Sequence, residues 1–299
     1  MPMCAFERSE KGMDFKMQQI IEILEETVLD SIKLLPFLFV TYLIMEYIEH
    51  KTSDKVKETI KKSGKYGPIL GGIVGIFPQC GFSVSATNLY AARVITLGTL
   101  ISVYLTTSDE MLPILLTEAV PITTILEILG IKLAIGIVAG LVIDFVMRKL
   151  KKQEQQENIE ELCEHEHCHC EEGIIKSAIK HSINILIFIL IITLIINIII
   201  TLVGEETIAN IISHNIILGP VIAGIIGLIP NCASSVILTE LFIEQVISMP
   251  ILISGLCVNA GVGLLVLFKT NKNIKENIKI ISLLYFIGVI SGIILEIIL

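Results

Sequence analysis

The chain has 299 residues, 53% of them hydrophobic and only 17% charged, with a mean hydropathy of +0.80. That balance excludes an ordinary soluble domain and reads as an integral membrane protein. The formal net charge of −8 is expected to carry no message about nucleic acid, because lysine and arginine are read as confined to loops, and no nucleic-acid partner is expected.

In chain order, residues 1–30 read as an amphipathic, extracytoplasmic N-terminal segment. Its first 16 residues carry Glu7, Arg8, Glu10, Lys11 and Asp14 and have no apolar core, so they do not read as a cleavable signal. A first membrane repeat is expected over 31–147, a cytoplasmic linker over 148–176 and a second membrane repeat over 177–299. About 20 apolar residues are needed to cross a hydrocarbon core of about 30 Å. Four stretches qualify: 34–47 with the helical run before it, 122–147, 183–203 and 278–299.

Between the first two of these lie 67–77, 82–92, 95–106 and 111–120, each about 11 residues and so about 16 Å if helical, half a bilayer. The first two segments read as a re-entrant hairpin with its tip at 78–81. The last two read as one spanning helix interrupted at 107–110. In the second half the hairpin is expected over 216–243, with its tip at 230–233. The matching broken helix covers 247–267 and is interrupted near 259–261. Counting each leg, the fold is all-α with about ten transmembrane segments.

The two halves are related in sequence. Residues 67–111 lie over 219–263 without a gap, at an offset of 152, with about 16 of 45 positions identical. Gly67, Pro68, Gly72, Gly75, Pro78, Cys80 and Ser83 fall on Gly219, Pro220, Gly224, Gly227, Pro230, Cys232 and Ser235. Two apolar halves broken at the same place by a polar Pro-(Gln/Asn)-Cys step point to a repeat-built transporter. Six lysines lie between Lys51 and Lys65, four basic residues follow the 122–147 span, and four more lie between Lys269 and Lys279, whereas 204–215 and 117–124 have none. The positive-inside bias then puts both termini outside and the linker in the cytoplasm, so the repeats are inverted. Arg8, Lys11, Lys16 and Lys33 run against this bias, accompanied by seven acids up to Asp30.

Non-helical backbone at membrane depth needs protein or water to satisfy it, so the four interruptions are expected to meet one another. The candidate substrate site is therefore Gln79, Cys80 and Ser83 with Ser85, then Thr107, Ser108, Asp109 and Glu110 after Thr106, then Asn231, Cys232 and Ser235 with Ser234, and Asn259 with Cys257. Asp109 and Glu110 weigh most, since an intramembrane carboxylate costs about 2.5–3.5 kcal/mol even on an insertion scale and usually meets a cation or proton. Plainer readings stand beside these. The cysteines are small packing residues, the serines bond back to their own helices, and Asp109-Glu110 caps a helix at the membrane surface.

The linker contains CEHEHCHCEE, placing Cys163, His165, His167, Cys168, His169 and Cys170 within eight positions. Thiolate and imidazole are preferred donors for zinc, copper(I) and similar ions, so a cytoplasmic metal catcher or sensor is expected there, against the alternative of an incidental polar linker. No disulfide framework is expected.

Taken together, the GIFPQCGFS and GLIPNCASS pair, the Ser-Asp-Glu at 108–110, the Asn-Ala-Gly-Val-Gly at 259–263 and the His/Cys linker resemble a family of ten-helix heavy-metal exporters, whose members are commonly labelled manganese transporter or arsenic efflux protein. The resemblance spans essentially the whole chain and implies a permease of the cytoplasmic membrane exporting a metal or metalloid ion. Paired cysteines sit poorly with manganese, which prefers oxygen donors and would lean on Asp109, Glu110, Gln79, Asn231 and Asn259. The expected function is secondary, proton-coupled export by alternating access, with no enzyme activity and no required cofactor. A divalent or soft metal ion is the substrate or linker ligand, and the partners are the bilayer, that ion and, as an open alternative, a second copy of the chain. A proton-coupled carrier of a small organic solute such as an amino acid is the other transport reading. A lipid-phosphate enzyme is disfavoured because neither proposed tip carries an arginine.

Overall fold

The computed structural model describes residues 66–108, 110–149, 174–203 and 218–298, with scattered helical positions between Leu24 and Leu43. Among these residues there is no strand. The helices are α1 (Gly67–Gly75), α2 (Gly81–Ala91), α3 (Leu97–Thr106), α4 (Met111–Thr117), α5 (Ile122–Lys149), α6 (Ile174–Val203), α7 (Leu218–Gly227), α8 (Cys232–Ile243), α9 (Met249–Val258), α10 (Gly263–Thr270) and α11 (Ile274–Ile298). Most of the 34–47 stretch, the 1–30 segment up to Leu24 and nearly all of the linker lie outside the described residues.

Local chemistry sets the helix ends. Pro68 and Pro250 sit in the first turns of α1 and α9, where a missing N–H costs nothing. The hydroxyls of Thr96 and Ser248 accept from the N–H groups of Thr99 and Ile251, capping α3 and α9. Arg93 and Gln245 take left-handed φ values of 59° and 60° and end α2 and α8 at equivalent positions. Several ends differ from the hydropathy reading, among them the start of α6 at Ile174 instead of 183, and two of them have a visible local cause. α4 stops at Thr117 instead of running to 120, because Ala119 turns left-handed (φ 53°) just before Pro121. α11 starts at Ile274, ahead of 278, because Asn273 Oδ1 accepts from the N–H of Glu276 at 3.3 Å, and its polar first turn is invisible to an apolar count.

The centre of the molecule is α3 and α9, buried without interruption over Gly98–Thr106 and Pro250–Val258. α1 and α5 pack on α3, and α7 and α11 pack on α9. Small residues permit this closeness. A Cβ on Gly140 of α5 would lie 2.6 Å from the carbonyl oxygen of Gly98, and one on Gly292 of α11 would lie 2.5 Å from Ser254 Cβ. α2 packs on α10 and α8 on α4, so each helix that follows a Pro-(Gln/Asn)-Cys turn lies against a helix that follows the other break.

Tertiary hydrogen bonds recur 152 residues apart. Ser102 Oγ donates to the Pro68 carbonyl at 2.6 Å, and Ser254 Oγ to the Pro220 carbonyl at 2.8 Å. Thr96 Oγ1 donates to Asp144 at 2.7 Å, and Ser248 Oγ to Glu296 at 2.8 Å.

The outer surface is apolar: Leu126, Val138, Val142 and Phe145 of α5, Ile187, Ile191 and Ile195 of α6, and Ile278, Phe286, Ile290 and Ile294 of α11 are exposed. Apolar faces of this extent need a bilayer to cover them. Three helical runs among the described residues are long and apolar enough to cross one: Ile122–Lys149, Met249–Thr270 taken across its break, and Ile274–Ile298.

Candidate functional site

Two tight turns end in cysteine. The N–H of Gln79 bonds the carbonyl of Phe77 at 2.8 Å, and that of Asn231 bonds the carbonyl of Ile229 at 2.8 Å, so the backbone turns in the same manner at Pro78 and Pro230. Cys80 is then the N-cap of α2, and Cys232 the first residue of α8. Their sulfurs lie 3.9 Å apart. Cys80 is half-buried and Cys232 buried. Two helix starts thus bring two thiols together.

The serines one turn further in are buried, and their hydroxyl hydrogens are committed. Ser83 donates to the Cys80 carbonyl at 2.8 Å, Ser235 to the Cys232 carbonyl at 2.7 Å, and Ser234 to the Asn231 carbonyl at 2.8 Å. Only lone pairs remain for a ligand. A turn later, Thr87 and Thr239 donate to the carbonyls of Ser83 and Ser235, both at 2.7 Å.

The helix breaks lie beside the turns. A Cβ on Gly263, at the start of α10, would come 3.0 Å from Ser83 Cβ. Thr87 Oγ1 lies 2.5 Å from the Tyr104 hydroxyl, and the two oxygens lie 3.2 and 3.3 Å from the Gly263 carbonyl. Within the second break Asn259 Oδ1 accepts from the N–H of Gly261, which adopts φ 52°. Within the first, Thr107 Oγ1 donates to the Val103 carbonyl at 2.7 Å and Ser108 Oγ to the Thr106 carbonyl at 3.0 Å. Glu110 is half-buried at the N-cap of α4. Lys132 of α5 joins the breaks, its ammonium donating to the Thr107 carbonyl and, at 3.4 Å, to that of Leu256.

The structure thus brings together Cys80 and Cys232, places Ser83 against the second break, and links Thr107 to the end of α9. Gln79 is half-buried, while Asn231, Ser108 and Asn259 are buried in the same turns and breaks. Asp109 and the linker residues Cys163, His165, His167, Cys168, His169 and Cys170 lie outside the described residues. Among the described residues no three His, Cys, Asp or Glu side chains form a metal-holding group. Sequence reasoning passed over Lys132, Thr87 and Tyr104. Lys132, buried within α5, corrects the expectation that lysine and arginine are confined to loops, and the signal was present, a lone cation in the 122–147 apolar run, since an intramembrane charge is by default a functional candidate.

All-helical in its described residues, with apolar outer faces and buried polar helix breaks, the chain is a multi-pass membrane protein. A family model described as "Putative, 10TM heavy-metal exporter" matches residues 19–203, more than half of the chain, and the protein belongs to that family. No curated protein and no solved structure matches it.

Proposed function

We propose that this membrane transporter is a secondary exporter of a soft or borderline heavy-metal or metalloid ion, working by alternating access between two inverted halves. The observation that carries the reading is the 3.9 Å approach of Cys80 and Cys232 at the starts of two helices from different halves. Two thiolates at that spacing suit one soft ion and suit manganese poorly. Carboxamide oxygens of Gln79 and Asn231 complete the ion's shell, and Asp109 or Glu110 balances its charge and exchanges a proton for it. The recurrence of helix ends and hydrogen bonds at a 152-residue offset supports two like halves, and the lysine-rich loops support their inversion. In this reading the turns at 78–81 and 230–233 are re-entrant tips that open alternately, the linker tract from Cys163 to Cys170 delivers metal from the cytoplasm, and the chain performs no covalent chemistry.

The test has two parts. In purified protein, one equivalent of arsenite, cadmium or zinc is expected to protect Cys80 and Cys232 together from maleimide, whereas manganese leaves them reactive. In cells, Cys80→Ser with Cys232→Ser, and separately Asp109→Asn with Glu110→Gln, are expected to abolish efflux at unchanged protein level. Full efflux from both double variants rejects the site.

A further inference from the structure

Lys132 is 0% exposed on a helix whose outer face is apolar. Its ammonium reaches the Thr107 carbonyl, just past the last residue of α3, and the Leu256 carbonyl in the last turn of α9. These are the C-terminal ends of the two most deeply buried helices. A helix C-terminus presents partnerless carbonyls and a partial negative charge, and two such ends brought together repel unless a cation lies between them. Half-helix C-terminal carbonyls are how broken-helix transporters hold a small coupling cation. Packing alone does not ask for a charge at this place: the residue 152 positions on is Leu284, which is also 0% exposed. Of these two equivalent positions, one half supplies a positive charge and the other does not, at a junction shared by both.

We propose that the Lys132 ammonium is a tethered monovalent cation filling a cation position built by the ends of α3 and α9, and that truncating it opens this position to a free small cation. The native protein then needs no sodium or potassium there. Lys132 is a positioning residue, holding the two helix breaks at the distance the site requires, and tethering does not depend on which ion is exported. A stability readout on protein free of heavy metal keeps this inference separate from the exporter reading, so either can fail alone.

The experiment compares melting of detergent-purified native protein, Lys132→Ser and Lys132→Met in N-methylglucamine chloride against equal concentrations of sodium, potassium or methylammonium chloride. Lys132→Ser is expected to melt below native in N-methylglucamine and to recover by about 3 °C or more with at least one small cation, while native changes by less than about 1 °C. Lys132→Met, which fills the space with methylenes, is expected to be destabilised and to gain nothing from any cation. If Lys132→Ser can be purified only when a small cation is present throughout, the dependence is the expected one. A Lys132→Ser protein that melts alike in all four salts or folds in none of them, or a Lys132→Met protein as stable as native, overturns the proposal.

Discussion

Arg93 and Gln245 hold the same left-handed backbone position 152 residues apart, and what surrounds them differs. The Arg93 guanidinium grips both oxygens of Glu276, at 2.6 and 2.8 Å, with the Tyr90 hydroxyl donating to the same carboxylate. Gln245 is exposed, and the residues matching Tyr90 and Glu276 are Phe242 and Thr124. A left-handed conformation costs a non-glycine residue about 1–2 kcal/mol, part of which glycine recovers before its own greater loss of chain entropy. Gln245→Gly is therefore expected to raise stability by up to about 1 kcal/mol. Arg93→Gly relieves the same strain but strands a half-buried carboxylate, and a net loss of about 1–3 kcal/mol is expected. Parallel melting curves of the two variants in detergent check the sign of each, and equal shifts would mean that the ion pair contributes nothing.

At the scale of elements, the long helices α5 and α11 are held by what they lack. Gly136 and Gly140 on α5 match Gly288 and Gly292 on α11, and a Cβ at any of the four would lie within 2.6 Å of an atom of α3 or α9. Gly130, on α5 as well, has nothing within 4 Å of its added Cβ. Gly140→Ala is expected to cost about 1–3 kcal/mol by prying α5 off α3, while Gly130→Ala is expected to be neutral or to stabilise by up to about 1 kcal/mol through helix propensity. Detergent melting of the pair isolates packing from propensity. Helix breaks were legible in the sequence because each consists of residues that end helices or interrupt apolar runs: Pro78 and Pro230, the Thr-Ser-Asp-Glu run at 107–110, and Asn259 with Gly261. The helix contacts were not, because they are made of backbone carbonyls and absent side chains. Lys132 bonds oxygens 25 and 124 residues away, and Arg93 bonds a residue 183 away, distances at which no local pattern speaks.

For the whole molecule, the proposed alternating access depends on how the two halves are arranged across the membrane, and the pairing between them says where to look. α2 lies on α10, and the Arg93–Glu276 pair ties the end of α2 to the first turn of α11 at one edge. α8 lies on α4, and the equivalent edge carries Gln245 and the turn after Thr117. If the halves are inverted, these edges face opposite sides of the bilayer, with Lys272 beside the basic cytoplasmic loops and Glu118 and Glu244 on the outer side. All three are exposed. In a background with the seven native cysteines replaced by serine, Lys272→Cys is expected to label with a membrane-impermeant maleimide only in inside-out vesicles, and Glu118→Cys and Glu244→Cys only in intact cells. Parallel halves would place Glu118 and Lys272 on the same side, because they lie in matching loops after α4 and α10. Labelling of all three from one side would therefore remove the inversion, and with it the reason for two like cysteine turns to open to opposite compartments in alternation.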